Sequence, residues 1–118
     1  MAASTTSDGE SYEYPEGVGP NDGPIPEGFT LERPQPNPFN TMTLFAFTIP
    51  VAGDLEVKAY DVTGRMVFND RLGSVSAGGH RYVWRGQVGQ GRSLPTGIYY
   101  FELTWQNSRL VRQVVLLK

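Results

Sequence analysis

The 118-residue chain has no cysteine and one histidine, His80. The first absence excludes disulfides and every Cys-based zinc site, so the fold must be held by its core alone. It does not argue against export, because an oxidising compartment permits disulfides without requiring them. The second absence leaves histidine chemistry to a single ring. The nearest hydroxyls, Ser74 and Ser76, lie in a loop without the elbow pattern that presents a nucleophilic serine. A lone imidazole is also a poor metal site unless carboxylates join it. Asp54, Asp61 and Asp70 are scattered through turns with no paired-carboxylate spacing. "GQGR" has no helix behind it to cradle a phosphate. The expectation is a protein that is not an enzyme and holds neither metal nor cofactor.

Long apolar runs are missing as well. No stretch approaches the ~20 residues that a membrane-crossing helix needs. The opening "MAASTTSDGESYEY" has neither the basic nor the apolar region of a signal peptide. Either the chain is cytosolic, or it is a piece of a longer one whose export signal lies elsewhere; the resemblance described below favours the piece.

Positive charge is absent from residues 1–28, which carry six acids, while residues 29–118 carry the other six and all ten bases. The acidic part is rich in Gly, Pro, Ser and Thr, with Val18 and Ile25 its only aliphatics larger than alanine. Such a segment cannot offset its ordering entropy by burial. It reads as a disordered, flexible linker, with Tyr12 and Tyr14 as exposed aromatics, followed by one domain over residues 29–118.

What is present in that domain is period-two alternation. Phe45, Phe47 and Ile49 alternate with Leu44, Ala46 and Thr48. Leu55, Val57 and Ala59 alternate with Glu56, Lys58 and Tyr60. Residues 66–69, 80–85, 97–105 and 109–117 supply further strands, with Tyr82 and Trp84 on one face of the fourth and Tyr99, Phe101 and Leu103 on one face of the fifth. No segment has a helical period, and turn signals recur every ~8–12 residues. This predicts an all-β, immunoglobulin-like antiparallel sandwich of about seven strands. Gly64 and Gly97 are expected to serve turns by positive φ or close approach. Tyr99, two residues before Phe101 and just after "LPTG", has the placing of a tyrosine corner.

Two stretches resist this scheme. "RPQPNPFN" (residues 33–40) removes backbone donors at Pro34, Pro36 and Pro38, which makes it a stiff, extended lead-in to the first strand. Phe39 is expected to be the first side chain driven into the core, with Asn37 and Asn40 bonding neighbouring backbone to set the bend. At the other terminus, Val114, Val115, Leu116 and Leu117 put apolar groups on both faces. Either that strand is buried on both sides or one face awaits a partner, and a free edge there would suit strand addition.

"PNPFN" followed by alternation to Ile49–Pro50, then "LEVKAYDVTGR", "GGHRYVWRG", "GRSLPTGIYYFEL" and "RQVVLLK", in that order, resembles the C-terminal sorting domain of type IX secretion cargo proteins of Gram-negative bacteria. The likeness is to the type A, Ig-like form, related to the flagellar hook-capping Ig-like domain. Two departures stand out: Arg85, Gln87 and Gln90 replace the acids common after the strand Trp, which disfavours a calcium-holding loop, and Ala59 stands where Val or Ile is usual. The resemblance implies a module at the end of a larger secreted enzyme or adhesin. It would pass through the periplasm to the cell surface or medium, be recognised by outer-membrane secretion machinery, and often be cut off by a sortase-like protease. The recognition residues it implies are Pro36, Asn37, Pro38, Phe39, Tyr60, Asp61, Gly64, Arg65, Gly97, Tyr99 and Lys118, with any cut before about Phe29.

Six bases against Glu102 alone in residues 81–118 leave an anionic partner such as lipopolysaccharide conceivable, though solvated strand faces explain most of them. No aromatic–basic interleaving points to nucleic acid. A structural Ig-like adhesion module and a carbohydrate-binding sandwich are the competing readings, and the latter would need a row of exposed aromatics.

Overall fold

The computed structural model describes residues 25–88 and 91–118. The linker predicted over residues 1–28 therefore falls mostly outside the described residues. Seven strands follow in order: β1 (Thr30–Leu31), β2 (Thr43–Ile49), β3 (Gly53–Tyr60), β4 (Met66–Val75), β5 (Gly78–Trp84), β6 (Gly97–Trp105) and β7 (Ser108–Leu116). They form a three-stranded sheet, β1-β2-β5, facing a four-stranded sheet, β4-β3-β6-β7, with every named pair antiparallel. No helix occurs among the described residues. The two-layer all-β architecture is that expected.

Alternation decides which side chains meet between the layers. Phe45, Phe47 and Ile49 of β2 and Leu55, Val57 and Ala59 of β3 are all buried, and their alternates are half-buried. Phe45 stacks on Phe101 with ring centroids 3.6 Å apart. Trp84, fully buried, touches the rings of Phe39, Phe68, Tyr99 and Phe101 and so ties both sheets and the lead-in together. Burying each such side chain is worth roughly 1.5–3 kcal/mol.

The structure corrects three expectations. Phe29 and Leu31 are buried before the prolines begin, so Phe39 is not the first side chain into the core. The two-residue β1 that carries Leu31 is too short for any period to reveal. β4 runs to Val75, not Asn69, because its outer half is an exposed edge of Asn69, Arg71, Gly73 and Ser74 that lacks apolar alternation. The turn before β5 thereby shrinks to Ser76 and Ala77.

The lead-in, finally, is not one extended path along β2. Gln35 exchanges backbone hydrogen bonds with Leu44 of β2 (3.1 and 3.0 Å), whereas Phe39 bridges Leu116 of β7 in parallel. The segment therefore crosses from one sheet to the other. The Gln35–Pro36 and Asn37–Pro38 peptide bonds are cis.

Candidate functional site

The lead-in and β7 are held together by the chemistry of the lead-in's own residues. Prolines at 36 and 38 have no N–H, so this segment cannot build a regular ladder. Asparagine side chains supply what is missing. Asn37 Oδ1 accepts from the Val115 amide at 2.9 Å, and Asn37 Nδ2 donates to the Gln113 carbonyl at 3.5 Å. The Phe39 amide donates to Val115 O at 2.9 Å, and the Leu117 amide donates to Phe39 O at 2.8 Å. Asn40 Nδ2 donates to Leu117 O at 3.0 Å. The asparagines thus bond backbone 76–78 residues away in place of the neighbouring backbone expected of them, and Asn40 Oδ1 also accepts from the Thr41 hydroxyl at 3.2 Å. Thr43 Oγ1 donates to Pro36 O at 2.7 Å and fixes the other side of the crossing.

This arrangement also corrects the free edge expected of the last strand. From Gln113 to Leu117 the outward edge of β7 is already occupied by residues 37–40. Val114 and Leu116 point into the core and are fully buried, Val115 is half-buried, and Leu117 is 52% exposed. From Val114 to Leu117 the strand is fully buried on one face only. The Lys118 amide donates to Thr96 Oγ1 at 2.9 Å, which anchors the terminus beside the start of β6.

Apart from Tyr60, the other predicted residues gather at the same end. The turn after β3 is organised by Asp61, whose Oδ1 accepts from Thr63 Oγ1 (2.6 Å), Thr63 N (2.9 Å) and Arg65 N (3.1 Å). The Thr63 side-chain bond leads the interactions that hold the Asp61 carboxyl below its usual range. Gly64 has φ +87° there, a conformation that glycine adopts without a steric cost. Gly97 has neither a positive φ nor a tight approach: an added Cβ would sit at an ordinary 3.6 Å from the Tyr99 ring. Neither reason given for glycine at that position holds.

Tyr99 does form the corner expected of it, its hydroxyl donating to Pro95 O at 2.7 Å. Burial first, and then the Asp61 charge, raises its pKa. Tyr99→Phe removes that bond and leaves the Pro95 carbonyl without it, so a loss of about 1 kcal/mol is expected from urea denaturation with little change in slope.

Tyr60 lies away from this cluster, on the outward face of the four-stranded sheet. Its hydroxyl is 3.3 Å from Oε1 of Glu102, which is only 2% exposed and paired at 2.8 Å with Arg109 Nη1. Burial, then the Glu102 charge, raises the Tyr60 pKa. Alternation put Glu102 on an outer face, so nothing in the sequence marked it as buried. Its one signal is a base seven residues on, across a tight hairpin.

Gly86 was also missed as a site residue. It has φ +65°, and a Cβ there would lie 3.0 Å from Leu116 and 3.1 Å from Phe39. It sits where lead-in, β7 and the loop after β5 converge. Exposed bases surround this end: Arg65 and Arg92 line one groove with Met66 and Val88, and Arg85 and Lys118 lie nearby in the fold.

His80 is engaged structurally, with Nε2 2.8 Å from Ser76 O and its ring against Phe47. Among the described residues, no group of three or more His, Cys, Asp or Glu side chains is placed to hold a metal. Tyr100 and Trp105 are both buried, and no aromatic is among the exposed large apolar side chains. The row of aromatics a carbohydrate binder needs is absent from the described residues.

Two ionisation limits follow. The Asp61 pKa is lowered on folding, so its contribution is present above the unfolded value of about 4 and is lost as pH falls below it. Tyr82 is half-buried and donates to Asp70 Oδ2 at 2.7 Å; desolvation first, then that bond, raises its pKa. Its contribution is complete below about pH 10 and is lost as pH rises further. The urea midpoint of Tyr82→Phe is therefore expected to fall less steeply than that of the parent chain between pH 10 and 12. Equal slopes would count against the Tyr82 assignment.

The sequence profile of the FlgD Ig-like domain matches residues 43–109. No curated protein matches the chain. Among solved structures, the chain is similar to FlgD from P. aeruginosa at 23% identity and TM-score 0.51, covering 64% of this chain and 63% of that one. It is similar to dimeric latent PorU from Porphyromonas gingivalis at 18% identity and TM-score 0.58, covering 81% of this chain and 10% of that one. It is also similar to PorZ, a surface component of the type IX secretion system of the same organism, at 18% identity and TM-score 0.50, covering 78% and 12%. At these identities the likeness is one of fold, and the chain spans under two thirds of the FlgD structure and about a tenth of the other two.

Proposed function

We propose that this chain, which belongs to the FlgD Ig-like domain family, is a non-catalytic module that directs a larger protein across the outer membrane and to the cell surface. The observation that carries this reading is the clamp of residues 37–40 on residues 113–117. It joins "PNPFN" and the C-terminal strand, the first and last segments of the resemblance to sorting domains, at one end of the sandwich. The domain's first described residues lie at the opposite end, where Phe29 packs on Trp105 and Gly28 on Pro50. An upstream cargo would then hang from one end and leave the other clear.

The recognising partner is the outer-membrane secretion machinery, with a sortase-like protease acting on the linker before Phe29. Arg65, Arg85, Arg92 and Lys118 give the clear end a positive field suited to an acidic groove or to lipopolysaccharide. The fold likeness to a module of PorZ supports this reading. A purely structural Ig-like module is the second reading, favoured by the match to the FlgD domain.

Deleting residues 114–118 is a poor test, since it removes the buried Val114 and Leu116 and would unfold the domain. The better test fuses the full chain to a periplasmic reporter in a host with type IX machinery. The reporter is expected outside the cell, and an Arg65→Glu/Arg92→Glu pair with unchanged urea midpoint is expected to retain it in the periplasm. A folded fusion that stays wholly periplasmic favours the structural reading.

A further inference from the structure

The outward face of the four-stranded sheet is unusual for a two-layer protein. Its residues are fixed by register: Tyr60 lies opposite Tyr100, Lys58 opposite Glu102, Glu102 opposite Val111, and Tyr100 opposite Gln113. Nothing among the described residues forms a third layer over it. The centre of such a face ordinarily stays wet. Here Tyr100 is 4%, Val111 4% and Glu102 2% exposed. With half-buried Tyr60, Tyr100 and Val111 make a small apolar cluster separate from the main core. Ile98, 40% exposed, extends it along β6.

We propose that this face is the docking surface for the chain's own acidic segment, residues 8–16, seated by Tyr12 and Tyr14 on Tyr60, Tyr100 and Val111. Four observations select this occupant. The first is the point of departure. Phe29 packs on Trp105, and its amide bonds Pro26 O, so the chain leaves the domain at the β6–β7 hairpin, next to Arg109. The second is reach. Residues 1–24 extended span up to ~80 Å, while Trp105 to Tyr100 along β6 is only ~17 Å.

The third is charge. Asp8, Glu10, Glu13 and Glu16 have no base among them. The face presents Lys58, Arg71 and Arg109 against Glu56 and Glu102; the two acids pair with Arg71 and Arg109, and three bases less two acids leave the face a net charge of +1. The fourth is pattern. In "ESYEYPE" the tyrosines are two residues apart, so in an extended chain both rings face one way and Glu13 faces the other. Aromatic pairs of this kind gain attraction beyond the area they bury. A second copy of the chain would bring a face of like charge instead.

Docking would keep the segment just upstream of the domain against the sheet, while the basic end stays open. The inference does not depend on the export reading.

The chain's lack of cysteine makes the test direct. Ser7→Cys is introduced into the full chain, a nitroxide is attached, and amide signals are compared with those of the reduced label. Signals of Ile98, Tyr100, Val111 and Gln113 are expected to broaden several-fold more than those of Leu44, Ala46 and Val83 on the opposite sheet. The preference should vanish in the Tyr12→Ala/Tyr14→Ala chain, whose domain is untouched. Equal broadening of both faces, or none, overturns the proposal. So does a preference that survives the double substitution, or one that appears when labelled chain is mixed with unlabelled isotope-enriched chain, because a second copy would then be the occupant.

Discussion

Trp84→Ala is expected to lower stability by about 3–5 kcal/mol, the usual cost of truncating a buried tryptophan. Its side chain is fully buried and touches four aromatic rings drawn from the lead-in and both sheets. A body of this length has roughly 5–13 kcal/mol in all. The loss should therefore lower the melting temperature by about 15–30 °C, or leave the chain partly unfolded at room temperature. Trp84→Phe should cost much less. It keeps most of the ring contacts and removes an indole N–H that is buried with no hydrogen-bond partner. Equilibrium urea unfolding of the two variants checks the pair. Similar losses in both would mean that a phenyl ring at this position keeps none of the contacts that hold Trp84.

Gly86→Ala should be the next most damaging single change, at about 2–4 kcal/mol. Part of that is conformational, since a residue with a Cβ at φ +65° costs about 1–2 kcal/mol. The remainder comes from a methyl group forced within 3.0 Å of Leu116 and 3.1 Å of Phe39, an overpacking worth about 1–3 kcal/mol. Gly91→Ala separates the two contributions. Gly91 also has a positive φ, +85°, but nothing lies within 4 Å of its added Cβ. Only the conformational part should appear there. If both substitutions cost the same, the convergence of lead-in, β7 and loop at Gly86 is not tight.

The difference between these residues shows what the sequence could reveal. Phe45, Val57 and Phe101 were legible because a strand repeats every two residues, and burial repeats with it. The corner at Tyr99 was legible because its bond closes within four residues. β1 was not, since two residues carry no period, and β4 was not, since an exposed edge has no apolar face to alternate. The clamp was only half visible. The prolines announced a break in the ladder, but that Asn37 and Asn40 make up for it on β7 is a contact across 76–78 residues. Local chemistry does not encode such a pairing. Glu102 was hidden for the opposite reason: alternation placed it on the correct face, and that face turned out to be dry.

The gathering of "PNPFN" and the C-terminal strand into one end of the domain rests on a few amide bonds, and amide hydrogen exchange reads them individually. Val114 and Leu116 face β6 and provide an internal reference. The Val115 and Leu117 amides face outward and donate to Asn37 Oδ1 and Phe39 O. They are expected to exchange nearly as slowly as their neighbours, with Asn37→Ala accelerating Val115 selectively. Val115 and Leu117 exchanging at the rate of an open sheet edge, while Val114 and Leu116 stay protected, would contradict the account.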